Sequence, residues 1–314
     1  MKKAAILYNP ASGSGRAQRL LKVEAAAVAL RFAGIEVSII PTEAPGSAGA
    51  QAQAAIAQGH ELVFAAGGDG TMNDVLQGMV AARESGAVMG LVPLGTGNVL
   101  ANDLRLPRDP VAAVRAQLAG EVRAVAAGHV ECKDARDGVV SRYFMTVAGV
   151  GPDAYMLYRV SGEAKGAFGM AAYITMGLKL GFTHDYPWFE IDATDHAGAT
   201  TKARVSQIMA VRIADFGNFL RRFAPGAELE RDAFEVVRFE SRKIFTYHSY
   251  MWSRFTGGHW RVGGVVQAPA QEIQVAKLED DVRVEIDGEV VGLIPARITL
   301  LPQAVRLMFP KVVS

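Results

Sequence analysis

Glu61–Met79 reads ELVFAAGGDGTMNDVLQGM. The apolar run Leu62–Ala66 has the length of a buried strand and stops at Gly67-Gly68-Asp69-Gly70. Beyond it Met72, Val75, Leu76 and Met79 recur at helical spacing, so the pattern predicts a helix that Thr71 is placed to cap. Strand, glycine turn and helix together point free backbone N–H groups at an anion, and glycine leaves room for a close ligand. Asp69 is the odd member of a phosphate cradle, because a carboxylate beside polyphosphate needs a divalent cation or a donor hydroxyl between them. The stretch therefore reads as a nucleotide–metal site.

Working outward, the same alternation repeats. Lys3–Tyr8 is a strand followed by the turn Asn9–Gly15, a helix from about Arg16 to Phe32, and Gly34 in the closing position. Ile35–Ile40 is a second strand, leading through Pro41–Gly46 into an alanine-rich helix that ends near Gly59. The strand at Leu62 comes third, and Val88–Val92 fourth, before Pro93–Asn98, a short helix to Leu104 and another over Pro110–Ala119. Alternating strands and helices make a Rossmann-like parallel sheet, whose ligands sit at the carboxyl ends of its strands. The loops at Asn9, Thr42, Gly67 and Gly95 all fall there.

After residue 120 strand-like runs follow one another: Val122–Val130, Tyr143–Val150, Trp188–Ala193, Ala203–Ile213, Phe234–Phe239, Gln271–Leu278, Val282–Ile286 and Val290–Leu301. Helical inserts over about Asp153–Phe182 and Ile244–Phe255 interrupt them. The change of texture marks a second domain, β-rich and sandwich-like. The expected division is residues 1–128 and 129–302, with a last strand, Ala304–Phe309, in the closing segment 303–314.

Composition narrows the class. A chain of 314 residues, 50% hydrophobic and 21% charged, buries enough surface to fold without staples. A net charge of +1 gives no support for nucleic-acid binding, and a lone cysteine, Cys132, fits a reducing compartment. The N-terminal apolar run is too short for a signal peptide, and no run is long enough to span a bilayer. The expected location is the cytoplasm, with membrane contact only peripheral and transient. The histidines show no ligand-like spacing for zinc.

GGDGTMNDVLQG resembles the signature of the diacylglycerol kinase catalytic-domain family, which includes bacterial lipid kinases, sphingosine kinases and ceramide kinases; NAD kinases carry a looser form. Taken alone, Asn9–Gly15 is a strand-to-helix turn, matching neither the P-loop nor G-x-G-x-x-G, and Thr42 is a turn residue. The family pattern resembles both, as N-P-x-x-G-x-G and T-x-x-P-G-x-A, and Leu94–Ala101 resembles its L-G-T-G-N-x-x-A stretch. The resemblance implies an NAD-kinase-like first domain to which the last strand returns. ATP would be bound by Asn9, Ser12, Gly13, Arg16, Thr42, Gly67, Gly68, Asp69, Gly70, Thr71, Asn73, Gly95, Thr96, Gly97 and Asn98, with Asp69 toward Mg2+. Val99 stands where many members carry aspartate, which weakens any metal assignment in that loop.

Asp287-Gly288-Glu289 reads two ways. Flanked by alternating Val282, Val284, Ile286 and by Val290-Val291, Asp-Gly is a type I′ hairpin turn. It also resembles the family's D-G-E segment, which implies Asp287 as general base and Glu289 as a supporting carboxylate. Gly149–Ala154 and the helix with Lys165, Gly169 and Tyr173 carry further likenesses. Ile213–Pro225 departs from the pattern, and Arg231 replaces a carboxylate that in some members serves a structural Mg2+ site, here spanned by Glu230–Asp232. Phe216–Phe223 mixes apolar and basic groups, and Ile244, Tyr247, Met251 and Phe255 share one helical face; a packed hairpin and a core helix are the simpler readings, a lipid interface the other.

The resemblance implies a lipid kinase that phosphorylates diacylglycerol to phosphatidic acid. Another long-chain alcohol such as sphingosine or ceramide, NAD as acceptor, and a catalytically silent nucleotide- or lipid-binding protein are the alternatives. An NAD-dependent oxidoreductase is disfavoured, since no strand runs into G-x-G-x-x-G. The oligomeric state is open, a homodimer included.

Overall fold

The computed structural model describes residues 1–10, 16–152, 186–216, 223–256, 260–278 and 282–311. Ser12 and Gly13, the side chain of Arg16, the expected insert from Asp153 with Lys165, Gly169 and Tyr173, and Phe219–Arg222 lie outside the described residues. The chain divides into two compact units, Met1–Ala127 with Leu301–Ser314, and Gly128–Leu300.

In the first unit the strands are β1 (Lys3–Tyr8), β2 (Glu36–Pro41), β3 (Leu62–Gly67) and β4 (Val88–Pro93). The helices are α1 (Arg16–Phe32), α2 (Ala48–Ala57), α3 (Asp69–Ala81), α4 (Val99–Asp103) and α5 (Pro110–Leu118). β2, β1, β3 and β4 pair in that order, all parallel, and Arg306 and Leu307 of the final strand add in parallel to β4. Every residue of β3 and β4 is buried, as a parallel sheet covered on both faces requires. Ile6, Leu62, Phe64 and Ala66 meet Val23, Ala26, Ala27 and Leu30 of α1 and Val114 of α5 in one core. The equally buried Ala5, Leu7, Val63 and Ala65 alternate with them and face the opposite layer, where α2 and α3 lie. Those two helices touch through Gly49 and Gly78, where a Cβ would strike the facing backbone.

The β-rich unit is built from β5 (Glu121–Lys133, entered from the first unit), β6 (Val139–Phe144), β7 (Val147–Val150), β8 (Phe189–Thr194), β9 (Thr200–Val205), β10 (Gln207–Val211) and β11 (Phe234–Phe239). It continues through α6 (Ile244–Phe255), β12 (Val265–Ala270), β13 (Glu272–Lys277), β14 (Arg283–Ile286) and the start of β15 (Glu289–Phe309). One run of antiparallel strands goes β12-β11-β10-β7-β14-β15, and a second goes from β15 to β13, β8 and β9. Strand β15 serves both: residues 289–293 pair with β14 and residues 296–299 with β13. Phe144, Val150, Ile208, Phe234, Phe189, Ile191, Ile273 and Ile298 fill the core that these strands enclose.

Some sequence expectations shift. α3 begins at Asp69, with Gly68 at its N-cap, so Thr71 lies inside the first turn and caps nothing. Tyr143–Val150 is two strands broken at Met145-Thr146, and Ala203–Ile213 is two broken at Ser206. Val290–Leu301 and Ala304–Phe309 are one continuous strand, and the strand over Val265–Ala270 carried no clear alternation. On α6 the buried positions are Thr246, Tyr250, Ser253 and Arg254, while Met251 is exposed, so the core face differs from the one the apolar spacing pointed to.

Candidate active-site residues

In the first unit β1, β3, β2 and β4 end level: Tyr8 is paired with Pro41 and with Ala66, and Gly67 with Pro93. The loops that follow therefore emerge side by side. The chain turns to one side from β1 to β2 and to the other from β3 to β4, so the order reverses between β1 and β3. An open α/β sheet has its ligand crevice at such a reversal, and here the flanking loops begin at Asn9 and Gly68.

The two glycine loops are locked to one another. Asp69 Oδ2 accepts the N–H of Asn98 at 2.9 Å and Oδ1 that of Val99 at 2.6 Å, so one carboxylate holds the start of α4. Asn98 closes its own loop, accepting from Gly95 N at 2.9 Å and donating to Gly95 O at 2.7 Å, in a left-handed conformation with φ of 50°. A Cβ at Gly95 would stand 2.5 Å from Gly68 Cα, so the two loops need glycine where their backbones cross. Thr96 and Gly97 are exposed at the tip of this paired structure, and Gly68, Asp69 and Gly70 are half-buried. Thr71 is buried against Gly67, and Asn73 is buried with its Oδ1 accepting from Gln77 at 3.1 Å. Neither is on the exposed loop edge. Asn9 and Thr42 are half-buried at their strand ends, and Thr42 N donates to Tyr8 O at 2.8 Å.

Among the described residues no group of three or more His, Cys, Asp or Glu is gathered that could hold a metal ion. Asp69 is a single carboxylate already accepting two amides, which fits only an ion whose remaining ligands are phosphate oxygens and water. At the altered segment Arg231 Nη1 donates to Gly226 O at 3.0 Å and reaches Glu235 Oε2 at 3.4 Å. The guanidinium thus supplies a positive charge beside the buried Glu235 carboxyl, whose pKa burial pushes up and Gln267 and Arg231 pull back.

In the β-rich unit Asp287 and Gly288, with φ of 47° and 87°, form the two-residue turn between β14 and β15. The hairpin reading is correct, and the turn does more. Asp287 Oδ1 accepts from Thr146 N at 2.8 Å, Thr146 Oγ1 at 2.6 Å and Val147 N at 3.2 Å, and Oδ2 from Met145 N at 3.0 Å. The break between β6 and β7 lies at Met145 and Thr146, whose amides turn to this carboxylate together with that of Val147 at the start of β7. Glu289 is exposed, while Glu285 is buried and accepts from Gly288 N at 3.0 Å.

Sequence reasoning missed Thr146, Glu285 and Arg212. Arg212 is wholly buried, its N–H donates to Thr146 O at 2.9 Å, and Nη2 donates to Leu229 O at 2.7 Å. Its Nε and Nη1 have no hydrogen-bond partner among the described residues. Burial pulls its pKa down to about 10, against the opposing charges of Asp232 and Asp287. An arginine that ends a buried strand, as in Met209-Ala210-Val211-Arg212, was the available signal.

A parallel α/β unit whose strand order reverses beside paired glycine loops has the architecture of a nucleotide-binding fold, joined here in one chain to a β-rich unit. Residues 3–130 match the model of the diacylglycerol kinase catalytic domain, and residues 146–309 that of the YegS C-terminal NAD kinase beta sandwich-like domain. The chain belongs to the bacterial-type diacylglycerol kinase family and is a lipid kinase. It is 28% identical over 310 residues to a diacylglycerol kinase of Staphylococcus epidermidis, covering 99% of this chain and 93% of that one. To a diacylglycerol kinase of Bacillus subtilis it is 26% identical, covering 99% and 97%. A solved diacylglycerol kinase structure from Bacillus anthracis shares the fold, with a TM-score of 0.69 and 18% identity over 100% of this chain and 98% of that chain. A second solved chain from that organism gives 0.75 and 19%, covering 100% and 99%. Among the described residues no helix is long and apolar enough to cross a membrane.

Proposed function

We propose that the enzyme transfers the γ-phosphoryl group of ATP to the free hydroxyl of diacylglycerol, giving phosphatidic acid and ADP. The observation that carries this reading is the Asp287 carboxylate, held at a hairpin tip by four donors from Met145, Thr146 and Val147. Such a fixed carboxylate suits a base that must meet one hydroxyl proton without reorienting. The acceptor oxygen bonds to the γ-phosphorus as the bond to the β,γ-bridging oxygen breaks, and the acceptor's proton passes to Asp287.

The loops at Asn9, Thr42, Gly68 and Gly95 hold the triphosphate, with Thr96 at the exposed tip offering its hydroxyl. Asp69 keeps the two glycine loops in register and is the candidate carboxylate for Mg2+. That ion, when bound, neutralises charge on the phosphate oxygens. Glu289 and Glu285 flank the base. The lipid is reached by peripheral contact with the bilayer.

Purified protein given γ-labelled ATP, Mg2+ and a total lipid extract should label phosphatidic acid, with diacylglycerol as the limiting substrate. Label appearing only in NAD, or in a sphingosine or ceramide product, would overturn the assignment. Asp287→Asn should lower turnover by about 10²- to 10⁴-fold with ATP affinity little changed by calorimetry. Undiminished turnover in that variant would remove the base.

A further inference from the structure

From Ser241 to Gln271 the chain carries Arg242, Lys243, Arg254 and Arg261 and no Asp or Glu, in a protein whose total charge is only +1. Helix α6 lies within this segment and is fastened by one face. Tyr250 Oη donates to Phe223 O at 2.8 Å, Tyr247 stacks on Phe239 with centroids 4.4 Å apart, and Ser253 is fully buried. The other face is apolar and open to solvent. Phe245 is 77% exposed, Trp252 61% and Met251 41%, and Trp260, just beyond the helix, 45%. Phe245 and Trp252 stand seven residues apart, close to two turns, so they project from the same side.

Large aromatic groups in water are unfavourable unless something covers them, and Trp suits the boundary between hydrocarbon and water. Arg242 and Lys243 are exposed at the N-terminal end of the face, and Arg261 is exposed beside Trp260. Glu240, which precedes this segment in the chain, is paired with Arg238 at 2.8 Å. An apolar helix face rimmed by cations complements an anionic headgroup layer. A second copy of the chain fits poorly, because the segment offers cations and no acid, so two-fold pairing would bring one cation-rimmed patch against another.

We propose that this face of α6 docks on the surface of an anionic bilayer, Phe245, Met251 and Trp252 entering the headgroup region while Arg242, Lys243 and Arg261 meet lipid phosphates. The proposal rests on the diacylglycerol kinase reading for its purpose, and its test does not require catalysis. The full chain is sedimented with vesicles of phosphatidylcholine, with and without phosphatidylglycerol. Binding should favour the anionic vesicles and weaken with salt. The doubly substituted Phe245→Ser, Trp252→Ser protein should bind them about ten-fold or more weaker. Arg242→Gln with Lys243→Gln should lose the preference for phosphatidylglycerol. All three proteins should melt alike and phosphorylate a water-soluble short-chain diacylglycerol within about two-fold of one another, since the effect is on docking alone.

Vesicle binding by the aromatic variant equal to that of the wild type would overturn the proposal. So would sedimentation velocity showing that the same substitutions convert a dimer to a monomer and leave vesicle binding intact. If the wild-type protein binds vesicles as described and phosphorylates no soluble diacylglycerol, the substrate reading fails and the docking face stands.

Discussion

Asp287 and Asp69 do related work with different partners. Each carboxylate collects backbone N–H groups from a segment far away in the chain, Asp287 from Met145–Val147 and Asp69 from Asn98 and Val99. Asp287 also adopts a left-handed backbone that an L-residue holds at a cost of about 1 kcal/mol or more, as functional turns often do. Cys132 shows what burial alone does to a residue outside this chemistry. It is 4% exposed beneath Gly292, and burial, helped by Asp134, raises its thiol to about 11 against an amide contact from Leu293. A pKa raised above the unfolded value of 9.0 gives stability that is whole below pH 9 and lost as pH climbs toward 11. Folded protein at pH 8 should therefore resist thiol reagents until it unfolds. Its unfolding free energy should drop by about 2 kcal/mol between pH 9 and 11, with that part of the slope absent in Cys132→Ala. Rapid labelling of the native protein at pH 8 would refute this.

Element boundaries were legible wherever one force dominated. β3 is apolar from end to end, and Gly34 marks the close of α1. The boundary errors came where side chains divert the backbone from its ladder, as at Met145-Thr146, or where a strand such as Val265–Ala270 is half-buried without alternation. Helix contacts were not legible either. α2 and α3 meet at Gly49 and Gly78, where a Cβ on Gly78 would overlap the Gly49 carbonyl and lie 3.0 Å from Ala52 Cβ. Gly78→Ala gains at most about 1 kcal/mol of helix propensity. The overlap costs about 1–3 kcal/mol, so the clash wins and the denaturation midpoint should fall. A midpoint equal to or above that of the wild type would show that the helices separate freely.

At the scale of the molecule, the C-terminal strand completes the first unit. Arg306 and Leu307 pair with Val88 and Met89, Arg306 Nη1 donates to Gly86 O at 2.8 Å, and Leu307 and Met308 are buried. Removing residues 301–314 exposes the β4 edge and takes two large side chains, Leu307 and Met308, out of the core, a loss of about 3–6 kcal/mol against a typical total of about 5–15. The truncated chain should lose cooperative melting and ATP binding together; a truncated protein that melts as one sharp transition at the wild-type temperature would contradict this. The parallel sheet, the glycine loops at its strand ends, the β-rich second half and the turn at Asp287 are legible in the residues alone, because each is written in local periodicity or turn chemistry. What those residues touch is a property of the folded chain. The clamp of Asp69 on Asn98 and Val99, the cradle of Thr146 around Asp287 and the burial of Arg212 join positions up to 142 residues apart. Hydrogen-bond partners so separated leave no period in the chain, and only the folded backbone brings them within reach.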